Sequence, residues 1–389
     1  MKKLLALVFL MTMAGKAGLF AIDINLTPPQ LDTSNSYAAV IQGYINNAFS
    51  QARNELNSMV RGISSNPQEM IRAFANSSVF ASTGASLRTF QGYNTFALTV
   101  GVMAGVQFPP NIFSIVEDIT GLADMDDEGL PSYIMSLFND TSDLRLGINP
   151  QILNAQIGIN TRFLKGLYLG VKGGYMNIPP DLIQIPLSFQ TWSAGPLINY
   201  QLIPQLRLFG GLIVWRGLNV GAGFIYQNTS LSLDLSLGDR TFPIPMASTS
   251  LPTEIGEING KIIDPRFHFG FTVNTYTVPL EAVTSIRLLG FFNASLGVGA
   301  DLGFGKASLI GDLNGGLDLD GYQRSGLRII TPGSVSASLD GESSPTFFNP
   351  KIMASLGFSA GPAIILDIPI TYYFQNTGFN VGVSLGIAL

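Results

Sequence analysis

The sequence predicts an all-β fold: a transmembrane antiparallel β-barrel of about 14 strands with an N-terminal helical hatch or plug. Three observations predict it. Charged residues make up only 12% of the 389 residues, about half the usual share. Apolar side chains alternate with small or polar ones over runs of about ten positions, the strand length that crosses a bilayer. No run of about 20 predominantly apolar residues offers a spanning helix instead.

The first 21 residues have the form of a signal peptide. Lys2 and Lys3 supply the positive start, Leu4 to Met13 the apolar stretch, and small residues lead to a cleavage position after Ala21. Ten apolar residues are too few to span roughly 30 Å of hydrocarbon. The chain has no Cys, which excludes disulfides, thiolate metal sites and cysteine nucleophiles. Its formal charge of -5 argues against nucleic acid as a partner.

Residues 22–90 are expected as a helical hatch or plug in the lumen, with packing under the barrel or on the membrane surface as the alternatives. Tyr37, Val40, Ile41, Tyr44, Ile45, Ala48, Ala52, Leu56, Met59, Val60 and Ile63 recur at helical spacing. Asn66, Pro67 and Glu69 then provide a cap, a first-turn proline and a capping-box acid for a second short helix reaching Phe74. Tyr44, Phe49 and Leu56 are the apolar contacts expected inside the barrel.

Residues 91–389 carry the strands. Phe96, Leu98, Val100, Val102, Ala104, Val106 and Phe108 form one face, with Thr99, Gly101, Gly105 and Gln107 on the other. Phe379 to Leu389 repeats the pattern, as do Ile364 to Phe374 and Leu296 to Phe304. Phe267, Phe269, Phe271 and Val273 oppose Arg266, His268, Gly270, Thr272 and Asn274, and Leu231 to Leu237 alternates with Ser and Asp234. Tempting helical windows fail: Phe96 to Phe108 stops at Pro109 and Pro110, Leu288 to Ala300 is broken by Gly and Asn, Ile352 to Leu366 contains Gly361 and Pro362, and Gln375 to Gly378 interrupts the last one. A soluble β-sandwich also alternates, but with shorter strands and more charge. Leu389 stands where such barrels often end in an aromatic residue read by the barrel-assembly machinery.

Asn149-Pro150, Asp264-Pro265 and Asn349-Pro350 each precede a strand and follow a long polar stretch, at 109–149, 238–264 and 307–349. These stretches are expected as outer loops, with tight periplasmic turns at Lys165-Gly166 and Gly361-Pro362, and with both termini periplasmic. Asp124, Asp126, Asp127 and Glu128 lack the spacing of an EF-hand and fit a solvated acidic loop.

Alternation assigns Arg162, Lys172, Arg207, Arg266, Arg287, Asp234, Asp301, Asp367 and His268 to the lumen. The plainer expectation is that lumen charges neutralise one another and hydrate the interior; the sharper one is that the five basic side chains hold a carboxylate head group. One His without a local serine motif gives no catalytic arrangement. No enzyme, cofactor or metal is expected.

A helical hatch before a barrel of about 14 strands resembles the FadL/TodX-like outer-membrane transporters of long-chain fatty acids and other hydrophobic compounds. The resemblance covers nearly the whole mature chain and is architectural. It implies a location in the outer membrane of a diderm bacterium, contact with membrane lipids, and passive uptake of a hydrophobic ligand such as a fatty acid past the hatch. A general diffusion porin for small polar solutes and a surface-exposed barrel adhesin are the alternatives.

Overall fold

A computed structural model describes residues 23–32, 36–62, 67–84, 95–108, 147–161, 164–180, 186–236, 238–243, 259–320, 328–360 and 364–389. The signal peptide, the acidic cluster Asp124 to Glu128, Arg162 and the turn at Gly361-Pro362 lie outside them.

Two short strands, β1 (Asp23–Thr27) and β2 (Gln30–Leu31), precede helices α1 (Ser36–Gly62) and α2 (Pro67–Thr83). Then come β3 (Phe96–Gln107), β4 (Gly147–Asn160), β5 (Leu167–Ile178), β6 (Leu187–Ile203), β7 (Leu206–Leu208), β8 (Ile213–Gly223) and β9 (Ile225–Ser236). They are followed by β10 (Arg240–Pro243), β11 (Asn259–Leu288), β12 (Phe292–Asp320), β13 (Ile329–Thr331), β14 (Gly333–Ser343), β15 (Phe348–Ala360), β16 (Ile364–Tyr373) and β17 (Gly378–Ala388). Among the described residues no helix is long and apolar enough to cross a membrane.

One antiparallel sheet holds 15 strands, with β10 pairing off the main path, and β13 with β2 makes a separate pair. The pairings form a circuit. From β3 they pass through β4, β5, β6, β8 with β9 in tandem, β11, β12, β14 with β15 in tandem, β16 and β17, and β17 pairs again with β3. Each of these strands has neighbours on both edges, which removes the open edges a flat sheet would expose.

β11 and β12 are 30 and 29 residues long and pair along almost their whole length. The stretches 259–264, 307–320 and 333–343, expected as loop, are therefore mostly strand. They project beyond the circuit's other strands. The polarity of the two faces changes along this hairpin. From Tyr276 to Ile286 the outer face is apolar and the inner face carries Thr277, Glu281 and Ser285; from Phe267 to Val273 the inner face is apolar and Arg266, His268, Thr272 and Asn274 lie outside. On β12, Asn293, Ser295 and Asp301 face in below Phe304, and Ala307, Leu309, Leu313 and Leu317 face in above it.

The apolar inner faces above that level pack on the helices. Ile41, Ile45 and Phe49 of α1 form one buried cluster with Phe267, Leu313, Leu317, Leu319 and Val335, and Ile71 and Ala75 of α2 form another with Phe271, Val273, Leu309 and Leu339. β1 pairs with β14 at this projecting end, whereas Leu389 pairs with Phe96 at the opposite one. The described chain ends thus lie at opposite ends of the sheet, not together as expected from the sequence.

Candidate functional site

α2 is enclosed by the circuit. Asn76, Ser77, Ser78, Val79, Phe80, Ala81 and Ser82 are each no more than 1% exposed. The helix runs nine residues past the Phe74 end expected from sequence, through Ala-Asn-Ser-Ser-Val-Phe-Ala-Ser-Thr. Ser and Thr are weak helix formers because their hydroxyls compete for the backbone. Here Ser77 donates to the Phe74 carbonyl and Ser82 to that of Val79, so these hydroxyls are satisfied within the helix. Short side chains also admit the wall: a methyl at Gly105 of β3 or Gly147 of β4 would run into the α2 backbone at Ser77 and Ala73.

Polar bonds radiate from α2 to strands around the circuit. Asn76 Nδ2 donates to Gln107 Oε1 on β3 at 2.9 Å, and Asn149 Nδ2 on β4 donates to Ser78 Oγ at 2.9 Å. Ser82 Oγ reaches Thr277 on β11, and Asn380 Nδ2 on β17 donates to the Phe80 carbonyl at 2.6 Å. The Phe80 ring stacks on Tyr373 of β16 with centroids 3.9 Å apart.

The C-terminal turn of α2 rests on a buried charged group. Lys172 of β5 donates from Nζ to the carbonyls of Ser82 and Gly84, the negative end of the helix dipole. Thr83 Oγ1 donates to Asp301 Oδ2 at 2.8 Å, and Tyr373 OH donates to the same oxygen at 3.0 Å. Lys351 Nζ lies 2.7 Å from Asp301 Oδ1, an ionic contact without hydrogen-bond angles, and 2.5 Å from Glu281 Oε1. Lys172, Asp301 and Lys351 are at most 3% exposed. Two cations and two carboxylates balance, as burial of charge requires.

Of the basic residues proposed from sequence, Lys172 belongs to this group. Arg287 is half-buried on the inner face near the far end, and its Nε has no hydrogen-bond partner among the described residues. Arg207 is exposed in β7 at that same end. Arg266 is on the outer face of the projecting hairpin, bonded to Asp264, with its side chain 76% exposed. His268 and Asp234 are likewise outside, 2.6 Å apart and exposed. Asp301 and Asp367 face in and are fully buried. The change of face explains the split: strict alternation carried through 266–274 assigns the wrong side once the strand leaves the apolar belt. Phe49 is buried against β11, β12 and β14, Tyr44 is half-buried, and the Leu56 side chain lies outside the described atoms. Glu281 and Lys351 were missed, although the period-two pattern around Leu280–Ala282 and Met353–Ser355 would have turned both inward.

An apolar groove of about 420 Å³ opens on the outer surface over β3, β4 and β17. Val102, Ala104, Ile152, Val381 and Val383 line it, with Met103 beneath. It lies where the β3–β4 register shifts between Gly101 and Met103, a bulge that breaks the ladder. Among the described residues no group of three or more His, Cys, Asp or Glu could hold a metal.

Solved structures resemble the chain only weakly. The translocator domain of the autotransporter NalP from Neisseria meningitidis has a TM-score of 0.26 at 8% identity, covering 76% of this chain and 88% of that one. Ail of Yersinia pestis gives 0.23 at 10% identity, covering 76% and 98%, and the P. putida toluene transporter TodX 0.23 at 9%, covering 77% and 91%. Likeness at this level decides neither fold nor function. No curated protein matches the sequence. A family model described as Lsa36-like matches residues 29–389, and the chain belongs to the Lsa36-like family.

Proposed function

We propose that the chain is a β-barrel of the outer membrane of a diderm bacterium, plugged by its own N-terminal helices, which passes small hydrophobic molecules when α2 is displaced. The observation that carries this reading is the change of face on β11 and β12, with α2 seated across it. Below Tyr276 and Phe304 the outward side chains suit acyl chains; above them they suit water. Exposed aromatic rings gather at that level: Phe108 with Phe379, Tyr372 with Phe374, Phe304 with Phe347, and Trp192 and Tyr276 on either side of Tyr226. Phe292 and Phe358 pair at the other end. About 12 residues of strand separate the two levels; at about 3.3 Å per residue and a tilt of about 40° they rise roughly 30 Å, which matches a hydrocarbon core.

An apolar solute from outside first meets α1, which is packed on the apolar inner walls of the projecting strands. Next it meets α2, and below α2 only a polar lumen lined by residues such as Ser285, Ser295 and Ser355. The groove at the β3–β4 bulge offers apolar cargo a sideways way out into the bilayer. Proteoliposomes test this: the protein should speed the entry of a long-chain fatty acid and leave a trisaccharide outside. Entry of the sugar instead would replace this reading with that of a general porin.

A second reading is favoured by the projecting strands β11, β12 and β14, whose outer face presents Arg266, His268, Lys306 and Glu342 to water. Such a face suits a surface-exposed adhesin. Binding of a host or matrix protein, lost when this face is altered, together with no permeation of either solute, would favour it.

A further inference from the structure

We propose that Lys172 is the latch of the plug: its ammonium holds the last turn of α2 and frees it by exchanging the helix carbonyls for the carboxylates of Glu281 and Asp301. This rests on the reading of α2 as the plug.

The geometry shows two ways to satisfy the same cation. In the closed arrangement Lys172 Nζ is bonded to the carbonyls of Ser82 and Gly84, and no carboxylate touches it in the described structure. Those carbonyls end a helix, where an ammonium completes orphan acceptors and meets the dipole. Glu281 and Asp301 are nevertheless within its electrostatic reach. Both are held by Lys351, which alone bridges them. One cation shared by two carboxylates leaves acceptor capacity for a second. When α2 withdraws, Lys172 loses its carbonyls, but the group then contains two lysines and two carboxylates that can pair off. Without such partners, plug release would strand a buried cation, which is costly. With them, a second arrangement of the wall is open to the cation, and α2 selects between the two. Besides Lys172, the last turn meets one charged wall group, the Asp301 carboxylate that accepts from Thr83 Oγ1, and otherwise neutral ones: Asn380 to the Phe80 carbonyl, Ser82 to Thr277, and the Phe80–Tyr373 stack. Lys172 is thus the charged tie between α2 and β5.

Single-channel recording on the full chain in planar bilayers tests this. Lys172→Met should raise the open probability about tenfold, the effect of losing charge-assisted bonds at a helix C-terminus. Lys172→Arg should restore most of the closed state. Glu281→Gln should act oppositely and lower the open probability severalfold, because Lys172 then has a poorer alternative partner. General loosening of the wall would raise opening in both variants, so a rise in both overturns the latch, as does no change in Lys172→Met. The plug reading has its own control in this Cys-free chain. Ser78→Cys and Asn149→Cys, joined by a short thiol crosslinker, should silence Lys172→Met. Conductance that survives the crosslink would overturn the plug itself.

Discussion

Tyr276 of β11 lies directly opposite Phe304 of β12, both rings on the outer face. One step up that face Asn274 is opposite Lys306; two steps down Leu280 is opposite Ala300. Within a few residues the outward side chains pass from charge to aromatic to aliphatic, the order that the proposed crossing from water through the interface into hydrocarbon calls for. Leu280→Arg is therefore expected to destabilise the protein by about 2–4 kcal/mol. Thr272→Arg, on the same face above the aromatic pair, should cost under about 0.5 kcal/mol. Denaturant unfolding in lipid vesicles would measure both, and equal costs would refute the placement of the boundary.

The Lys351–Asp301 pair leads to a larger effect. Asp301 is fully buried and receives Thr83, Tyr373 and Lys351. Lys351→Met leaves that carboxylate without its bound cation, at an expected cost of about 3–5 kcal/mol. Adding Asp301→Asn to Lys351→Met should recover part of the loss, since the amide carries no charge. Unfolding midpoints of the single and double variants give the comparison; no recovery would mean that the pair's charge is not what matters.

Gly105 and Gly147 show how closely α2 approaches the wall. Gly105→Val forces β3 away from the α2 backbone at Ser77 and Ala81, and overpacking of this kind costs about 1–3 kcal/mol. The amides of α2 from Ser77 to Ala81 should then exchange with solvent more than about tenfold faster. Gly43→Ala is the control, because nothing lies within 4 Å of a methyl added there. Unchanged exchange in Gly105→Val would argue against tight seating of the helix.

The projecting end has a pH-dependent tie. Lys261 bonds to Asp239 at 2.9 Å, and Asp239 also accepts the backbone N–H of Asp264. These hydrogen bonds, that from Lys261 first, hold the Asp239 carboxyl below the ordinary carboxylate range. A carboxyl depressed in the folded state contributes its stabilisation above the unfolded value and loses it as the pH falls through the folded one. The Asp264 amide should therefore be protected near neutral pH and lose protection only in acid, below the usual carboxylate range. Hydrogen exchange read in Asp239→Asn, where the charge is gone at every pH, should show no such acid step.

The sequence shows most of the strands because one face of each meets a single solvent. Phe96 to Val106, Ile364 to Tyr372 and Phe379 to Ile387 alternate cleanly, and these became β3, β16 and β17. Alternation says which side chains share a face, but not which face is inside. On β11 the apolar set shifts from odd to even positions near Asn274 without any break in the strand. That is why strict alternation turns Arg266 and His268 inward, whereas in the structure both are on the exposed outer face. The buried half of α2 was hidden for a different reason. Ala-Asn-Ser-Ser has neither an apolar stripe nor strong helix formers, and its helix is held by the wall's Gln107, Asn149 and Asn380, far away in sequence. The charged seat joins β5, β11, β12 and β15, so no local motif could announce it.

The bulge between Gly101 and Met103 gives the last expectation, and it separates sideways exit from passage down the lumen. Ala104 faces out beside the bulge and lines the apolar groove. An indole at that position fills much of a space of about 420 Å³ while leaving the lumen wall, which is built from the odd-numbered side chains of β3, untouched. Ala104→Trp should therefore slow fatty-acid uptake into proteoliposomes severalfold. The conductance of the unlatched Lys172→Met protein should be the same with and without it, because ions use the polar lumen. If uptake and conductance fell together, the indole would be acting through the barrel as a whole. If neither fell, apolar cargo would have to leave by another path, and the polar lumen below α2 would have to carry it against the cost of an apolar solute in a hydrated passage.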